Sequence, residues 1–345
     1  MKIKKIGIGV LISLVILLAG FCMLYFLNAG DYIVLETTNM NENLPSIEFE
    51  GYKFHSEVFG LSNDQTIIVL HGGPGSDYRS ILPLQILSDE YKVVFYDQRG
   101  TGLSPRVGEG EITMEKYLDD LDKFVEHYGK NGKAILVGHS WGAMLASAYT
   151  SMYPDKVEKL VLAEPGFLTP EMAGIYMKKT NQMRPRKITL EFISHIISTY
   201  FESLHIYGPD SEARKDYFMA RLSLGKDLEG HPLAGYFKEG KLSNGYLEYW
   251  RAGALVPSIF FRDAMDEEGN FTISFIDGIE NYKNKVLFLT GEYNTIIGEE
   301  HQRQQMKYFP DSELVVISDA GHTMIGEKPE ATATVIRTYL EATEN

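Results

Sequence analysis

The sequence has very little cysteine and a deficit of positive charge. Its 345 residues include one cysteine, Cys22, which excludes an intrachain disulfide framework, and no Cys/His cluster has the spacing of a zinc site. Lys and Arg total 33 against 47 Asp and Glu, and the net charge of −14 repels a phosphate backbone. We therefore expect no bound metal and no nucleic-acid partner, and a fold held together by packing.

The overall composition is that of an ordinary globular protein. Hydrophobic residues make up 44% of the chain and charged residues 23%, which excludes disordered, collagen-like and low-complexity classes. The length suits one catalytic fold that carries a large insertion.

The N-terminus predicts a membrane anchor. Residues 6–27 contain no side chain that is charged at neutral pH, and a helix of these 22 residues is about 33 Å long, enough to cross a hydrocarbon core of about 30 Å. Three lysines precede the segment and Asp31 and Glu36 follow it, so the positive-inside rule predicts a single-pass protein of the cell membrane whose large domain is extracytoplasmic. A cleaved signal peptide is the alternative, although residues 27–29, Leu-Asn-Ala, are a poor cleavage site.

Beyond a polar linker at residues 28–46, short β-branched apolar runs alternate with helical patterns. Such runs predict strands that are buried on both faces of a parallel sheet, at residues 66–70, 93–96, 134–137, 160–163, 286–289 and 314–317. Between the fourth and fifth runs the pattern becomes helical, with Leu190, Ile193, Ile197, Phe201 and Leu204 at three- and four-residue spacing. The sequence thus predicts an α/β core at residues 47–167 and 282–345 and a helical cap at 168–281.

A Gly-His-Ser-Trp-Gly segment at residues 138–142 lies directly between a predicted strand and a helical pattern. The G-x-S-x-G motif alone is weak evidence for a nucleophile. Between a strand and a helix, however, its serine occupies a sharp turn, and the flanking residues are glycines because the turn leaves no room for their side chains. We predict Ser140 as a nucleophile. The backbone N–H of Trp141, at the positive end of the helix, is predicted to bind an oxyanion.

Two glycine-bearing loops follow the first two predicted strands. Residues 71–75, His-Gly-Gly-Pro-Gly, expose unobstructed backbone N–H groups, and we predict Gly73 as the other oxyanion donor. A plain tight turn is the alternative. Phosphate binding is rejected, because neither G-x-x-x-x-G-K-[ST] nor G-x-G-x-x-G is present here. Residues 97–104 are predicted to support the site. The histidine base is predicted to be His322, which follows the last predicted strand.

Together these segments resemble the proline iminopeptidase family of α/β-hydrolases. The resemblance extends from about residue 47 to the end of the chain and rests on residues 71–75, 97–104, 138–142 and 321–322. It implies a mostly parallel eight-stranded sheet, a helical cap, serine-based hydrolysis without a cofactor, and release of N-terminal residues, often proline, from peptides. Relatives with the same motifs cleave esters or other amides, and the membrane anchor departs from the family's usual soluble form.

The acidic member of the predicted triad departs from the family pattern. After the strand at 286–289 the family has Gly, two variable residues and Asp, whereas this chain has Asn294 in the acid position. An amide cannot compensate an imidazolium charge. Glu164 ends the strand at 160–163, where some relatives on this fold, certain haloalkane dehalogenases, carry their acid, so we predict that Glu164 replaces the missing carboxylate. Glu292 as the acid, or no ionised acid at all, are the alternatives.

The substrate is less well defined by the sequence. An aminopeptidase must bind a positive N-terminus, and Glu202 and Glu248, each among aromatic residues of the cap, are candidates for that role. We predict a serine hydrolase that acts on a small peptide or an ester. The alternatives are a carboxylesterase or lipase, and a noncatalytic binding or sensor protein with a decayed triad, for which Asn294 is the support.

Overall fold

The computed structural model describes residues 2–182, 190–223, 233–241 and 249–342. Eight strands in these residues form one sheet. They are β1 (Ser46–Phe49), β2 (Tyr52–Phe59), β3 (Thr66–Leu70), β4 (Lys92–Tyr96), β5 (Ala134–His139), β6 (Val157–Ala163), β7 (Val286–Gly291) and β8 (Ser312–Ile317). Their order across the sheet is β1-β2-β4-β3-β5-β6-β7-β8.

The sheet is parallel from β4 to β8, and β1 and β2 form an antiparallel edge. The predicted mostly parallel eight-stranded sheet is confirmed, and each of the six apolar runs lies in a strand. β1 and β2 were not predicted, because β1 has only four residues and β2 contains no continuous apolar run, several of its residues being only half-buried at the edge.

Some helices of the described residues cover the two faces of the sheet, and others form the cap and the N-terminal segment. In chain order they are α1 (Lys2–Leu27), α2 (Met114–Tyr128), α3 (Trp141–Met152), α4 (Pro170–Gln182), α5 (Leu190–Ser203), α6 (Ala213–Ser223), α7 (Leu255–Asp263), α8 (Glu299–Met306), α9 (Met324–Glu327) and α10 (Pro329–Glu341). One hydrophobic cluster joins α2 and α3 to one face of the sheet, and a second joins a 3₁₀ helix at Tyr78–Asp89 and α10 to the other. The strands are therefore buried on both sides, as their continuous apolar sequence requires.

The chain leaves the sheet after Ala163 and returns to it at Val286, and α4 to α7 lie between these points. A buried carboxylate, Asp216 of α6, connects this cap to the core. Its Oδ2 accepts hydrogen bonds from Arg251 Nε at 2.8 Å and Arg106 Nε at 2.9 Å, and its Oδ1 accepts one from the backbone N–H of Ala254 at 2.9 Å. Because Arg106 follows the loop after β4, this cluster ties the cap to the catalytic edge of the sheet.

Replacing this carboxylate is expected to destabilise the protein markedly. Asp216→Asn leaves the buried guanidinium of Arg106 without its compensating charge and leaves Arg251 paired with Asp210 alone, and the free energy of unfolding should fall by about 3 kcal/mol. Lys215→Ala is the matched control, because the ion pair of Lys215 with Glu212 is largely exposed and its loss should cost no more than about 0.5 kcal/mol. Urea-induced unfolding of the full chain in detergent, followed by tryptophan fluorescence, measures both. Equal stability of the two variants would contradict the expectation.

The N-terminal segment contains, among the described residues, one helix that is long and apolar enough to cross a membrane. It is Gly9–Leu27 of α1, with a mean hydropathy of 2.8 over 19 residues and no part of it buried. A signal sequence satisfies the same criterion. The predicted linker at residues 28–46 packs against the folded body: the backbone N–H of Thr38 donates to Leu103 O at 2.9 Å, and Arg251 Nη1 donates to Leu35 O at 3.0 Å.

Candidate active site

Ser140 lies on a strained turn between β5 and α3. Its backbone has φ 54° and ψ −116°, a conformation that is unfavourable for a residue with a side chain. A Cβ at Gly142 would collide with Leu70 O, and one at Gly138 would collide with Gly142 O, so the turn requires both glycines. The backbone N–H of Ser140 donates to Ala163 O at 2.8 Å. The turn therefore presents a partly accessible serine at the carboxyl edge of the sheet.

The loop that follows β3 packs directly against this turn. A Cβ built at Gly72 would lie 3.2 Å from the Cβ of Ser140, and the next residue, Gly73, has φ 128°, which favours glycine. Trp141 is the first residue of α3, so intrahelical hydrogen bonding does not use its backbone N–H. The two predicted oxyanion donors thus belong to segments that flank Ser140.

Residues 97–104 hold these segments together. The side-chain amide of Gln98 accepts from the indole N–H of Trp141 at 2.8 Å and donates to His71 O at 3.0 Å, which bridges the serine turn and the glycine loop. Asp97 is fully buried and accepts from the backbone N–H of Leu103 at 2.7 Å and from His55 Nδ1 at 2.7 Å. These contacts agree with the supporting role predicted for this loop.

Glu164 and His322 meet at the same edge of the sheet. The Nδ1 of His322 lies 2.5 Å from Oε2 of Glu164, whose side chain is fully buried at the end of β6. An ionised carboxylate only accepts hydrogen bonds, so Nδ1 is the donor in this contact, and in the neutral ring Nε2 then carries a lone pair. Glu164 has a left-handed backbone with φ 47°, an unfavourable conformation for a non-glycine residue that is often found at functional sites.

Three further donors surround the Glu164 carboxylate. Asn294 Nδ2 donates to Oε2 at 2.6 Å, while the Thr290 hydroxyl and the Gly291 N–H donate to Oε1 at 2.7 and 2.8 Å. Both oxygens thus have partners, which offsets the cost of burying their charge. The other end of the Asn294 amide accepts two backbone N–H groups at 3.0 Å. The residue at the position of the family's acid is therefore a hydrogen-bond donor to Glu164.

A cap residue and a buried histidine hold His322 from its other sides. The Tyr236 ring stacks on the His322 ring with centroids 4.4 Å apart, and Tyr236 O accepts the backbone N–H of His322 at 2.8 Å. His139 Nε2 donates to His322 O at 2.8 Å, and burial, together with the neighbouring His322, lowers the pKa of His139 to about 3, so that His139 is neutral at physiological pH. The sequence contains no signal for Tyr236, which reaches the site only through the fold of the cap.

The remaining predicted acids lie elsewhere. Glu202 accepts a hydrogen bond from the Tyr217 hydroxyl at 2.8 Å and pairs with Arg221 Nε at 3.4 Å, both of α6. Its predicted role in substrate binding stays a prediction. Glu248 lies outside the described residues. Glu292 accepts the backbone N–H of Asp319 at 2.7 Å, an exposed contact apart from the bond between Glu164 and His322.

Acid should weaken the fold through the buried histidines next to this site. His301 donates Nε2–H to Gly166 O at 2.8 Å, two residues after Glu164, and burial lowers the pKa of His301 to about 4. Since the pKa of an unfolded histidine is about 6.5, the unfolded chain binds more protons below that pH. The free energy of unfolding therefore decreases as the pH falls from about 6.5, and the contribution of His301 to this loss is complete once the pH has fallen through 4.

A variant without this titration should resist acid better. We expect the free energy of unfolding of the His301→Gln variant to fall by about 1–2 kcal/mol less than that of the unsubstituted protein between pH 6.5 and 4.5. Urea-induced unfolding at the two pH values measures the difference. Identical losses would show that His301 is not kept neutral in the folded state.

The fold and the site define a hydrolase of the α/β type. Residues 65–329 match the alpha/beta hydrolase fold family, to which the chain therefore belongs. Within that family it resembles proline iminopeptidases. It is 24% identical to proline iminopeptidase PfmaB of Pestalotiopsis fici over 86% of this chain and 98% of the relative. A stretch of 110 residues is 38% identical to the proline iminopeptidase of Heyndrickxia coagulans, but it spans only 30% of this chain and 36% of that protein.

The fold likeness also reaches the N-terminus. The crystal structure of a membrane phospholipase A, described as a bacterial virulence factor, superposes with a TM-score of 0.58 and 15% identity. The superposition covers 99% of this chain and 98% of the other. At this identity the likeness shows a common fold.

Proposed function

We propose that the protein is a membrane-anchored serine hydrolase, an aminopeptidase of the proline iminopeptidase type, with Ser140, His322 and Glu164 as its triad. The observation that carries the proposal is the bond between His322 and Glu164 at the sheet edge where Ser140 occupies a strained turn. A nucleophile, a base and a group that orients the base are the components that acyl transfer needs.

In this mechanism Ser140 Oγ attacks the carbonyl carbon of the N-terminal residue of the substrate, and His322 Nε2 takes the hydroxyl proton. The N–H groups of Gly73 and Trp141 stabilise the oxyanion that forms. Glu164 keeps the proton on Nδ1 and compensates the imidazolium charge. His322 then protonates the leaving amine, and water, activated by the same histidine, hydrolyses the acyl-enzyme.

The contacts of Asn294 argue against a decayed pocket. The prediction of a noncatalytic protein rested on this amide alone, and in the structure the amide donates to the Glu164 carboxylate and accepts two backbone N–H groups. An amide that merely remained after loss of an acid would not need a buried carboxylate as its partner. Asn294 therefore supports a working triad with its acid on β6.

The requirement for a free amine tests the aminopeptidase assignment. We expect the full chain in detergent to hydrolyse proline arylamide, and N-acetylation of that substrate to lower kcat/KM by about 100-fold or more, because an amine-binding site is left unpaired. Ser140→Ala provides the blank. Turnover of the acetylated substrate at the same rate would contradict an aminopeptidase.

A carboxylesterase is the second candidate, and the position of Glu202 favours it. The carboxylate predicted to bind a substrate ammonium is already paired with Arg221 inside the cap. A preference for p-nitrophenyl esters over aminoacyl arylamides, measured in the same screen, would assign the protein to this class.

For the N-terminus we propose an uncleaved anchor that leaves the catalytic domain outside the cytoplasm. The contacts of α1 with the cap support retention, since His205 Nε2 donates to Tyr25 O at 2.9 Å and the rings of Phe21 and Phe201 lie 5.1 Å apart. The intact mass of the protein purified from membranes tests this. A mature form that begins after residue 27 would identify a cleaved signal instead.

A further inference from the structure

Helix α5 of the cap turns an apolar stripe to the outside. Leu190, Ile193, Ile197 and Phe201 are spaced by three or four residues and therefore share one face of the helix. The first three have 85%, 41% and 40% of their surface exposed. In a soluble globular protein such a stripe normally faces the core.

The polar side of α5 makes the contacts inside the cap. Glu202 binds Tyr217 and Arg221 of α6, and His195 Nε2 donates to Arg221 O at 3.1 Å. Thr199 is fully buried. The side of α5 opposite the stripe thus faces the cap, while Leu190, Ile193 and Ile197 face the surroundings.

The stripe is continuous with the proposed anchor. Its C-terminal member, Phe201, is buried and packs on Phe21 of α1. Phe21 precedes the end of α1 by six residues, which is about 9 Å at 1.5 Å per residue. Helices that lie in a membrane interface bury their apolar face about 5–10 Å below the headgroups. With the end of α1 at the headgroups, as the proposed anchorage requires, the contact places the C-terminal end of α5 at the depth of such a helix.

Length and aromatic content fit the same position. The 14 residues of α5 extend about 21 Å, too short to cross a hydrocarbon core of about 30 Å. Tyr200 and Tyr207 are 48% and 82% exposed, and the Tyr207 hydroxyl lies 3.0 Å from that of Tyr25 near the end of α1. Tyrosines concentrate at the boundary between lipid and water.

We propose that the outward stripe of α5, formed by Leu190, Ile193 and Ile197, lies in the interface of the bilayer that α1 spans. The inference rests on the membrane anchorage proposed above. The apolar side chains of α1 around its contact with α5 are themselves exposed, so the medium that covers α1 continues over the stripe. The cap is then held on the membrane surface by two elements, one spanning and one lying flat.

Single labels on the full chain test this placement. In a Cys22→Ser background, Ile197→Cys or Leu190→Cys carries the fluorophore NBD, and the protein is reconstituted in phosphatidylcholine vesicles with or without doxyl-labelled phosphatidylcholine. Two matched positions serve as controls: Leu14→Cys inside α1, and Leu61→Cys, which is 71% exposed in the turn after β2.

We expect doxyl lipid to quench the labels at 197, 190 and 14 by about twofold or more and to leave the label at 61 unchanged. Quenching at 14 without quenching at 190 and 197 overturns the inference and leaves the anchorage standing. Absence of quenching at all positions overturns both. A blue-shifted label at 197 that doxyl lipid does not quench, together with crosslinked dimers, shows a second copy on the stripe and also overturns the inference. Hydrolase activity does not enter the measurement.

Discussion

The Ser140→Ala variant is expected to lose about 10⁵-fold or more in kcat on the preferred substrate. The substitution removes only Oγ, so His322 and the oxyanion donors keep their places but no acyl-enzyme forms. Removal of the nucleophile from serine hydrolases with an intact triad has losses of this order, and the residual rate comes from oxyanion stabilisation and binding. The kcat of the variant and of the unsubstituted protein, compared on one substrate, measures the loss.

A fluorophosphonate probe tests whether Ser140 is the nucleophile or is needed only for the structure of the site. The probe should add covalently to the unsubstituted protein and fail to add to Ser140→Ala, as read from intact mass. Ser147→Ala is the matched control, since Ser147 lies on the same helix and its hydroxyl donates to Ala143 O at 2.8 Å. This control should keep both labelling and activity. Labelling of Ser140→Ala to the same extent as the unsubstituted protein, or retained turnover, would refute the proposed chemistry.

The sheet was predictable because its central strands are buried on both faces. That burial demands continuous apolar runs, and each run of the sequence marked a strand to within a few residues. Edge strands have no such requirement. β2 mixes polar and apolar residues, and the four-residue β1 has only two apolar residues, Ile47 and Phe49, so neither sequence stands out from a loop. Strand signals of this kind depend on neighbours that are distant in sequence.

Residues of the candidate site that directly follow a strand could be predicted from the sequence, and those in the cap could not. Ser140 and Glu164 directly follow strands β5 and β6, and parallel strands bring their carboxyl ends to one edge of the sheet. Tyr236 does not follow a strand, and its position over His322 depends on the path of the cap, so the sequence gives no signal for it. The sequence also predicted the helical periodicity of α5. It did not predict which way the apolar stripe faces, since an amphipathic pattern is the same whether its apolar side packs on a core or on a membrane.

The second large effect concerns the acid. Glu164→Gln is expected to lower kcat by about 10³–10⁴, the cost of replacing the triad carboxylate by its amide in a serine protease. Glutamine offers one acceptor oxygen to four donors and leaves the imidazolium without a compensating charge. Glu292→Gln is the control for the alternative acid. Because the contact of Glu292 within the described residues is with the exposed N–H of Asp319, its loss should change kcat by no more than about threefold.

Exchange of the two side chains gives the most specific test. Asn294→Asp alone sets a carboxylate oxygen about 2.6 Å from Glu164 Oε2, where two ionised acids repel each other, so this single change should also reduce kcat. In the combined variant Glu164→Gln/Asn294→Asp, the single carboxylate of the pair is at position 294, and a negative charge is again near His322. Activity should then rise about tenfold or more above that of Glu164→Gln.

Steady-state kinetics of all four proteins completes a double-mutant cycle. Losses that simply add would mean that positions 164 and 294 act independently, and the proposed relocation of the acid from β7 to β6 would be wrong. A gain in the double variant has no explanation in packing alone, because each substitution is nearly isosteric. It requires that one negative charge, supplied from either strand, serves the same histidine.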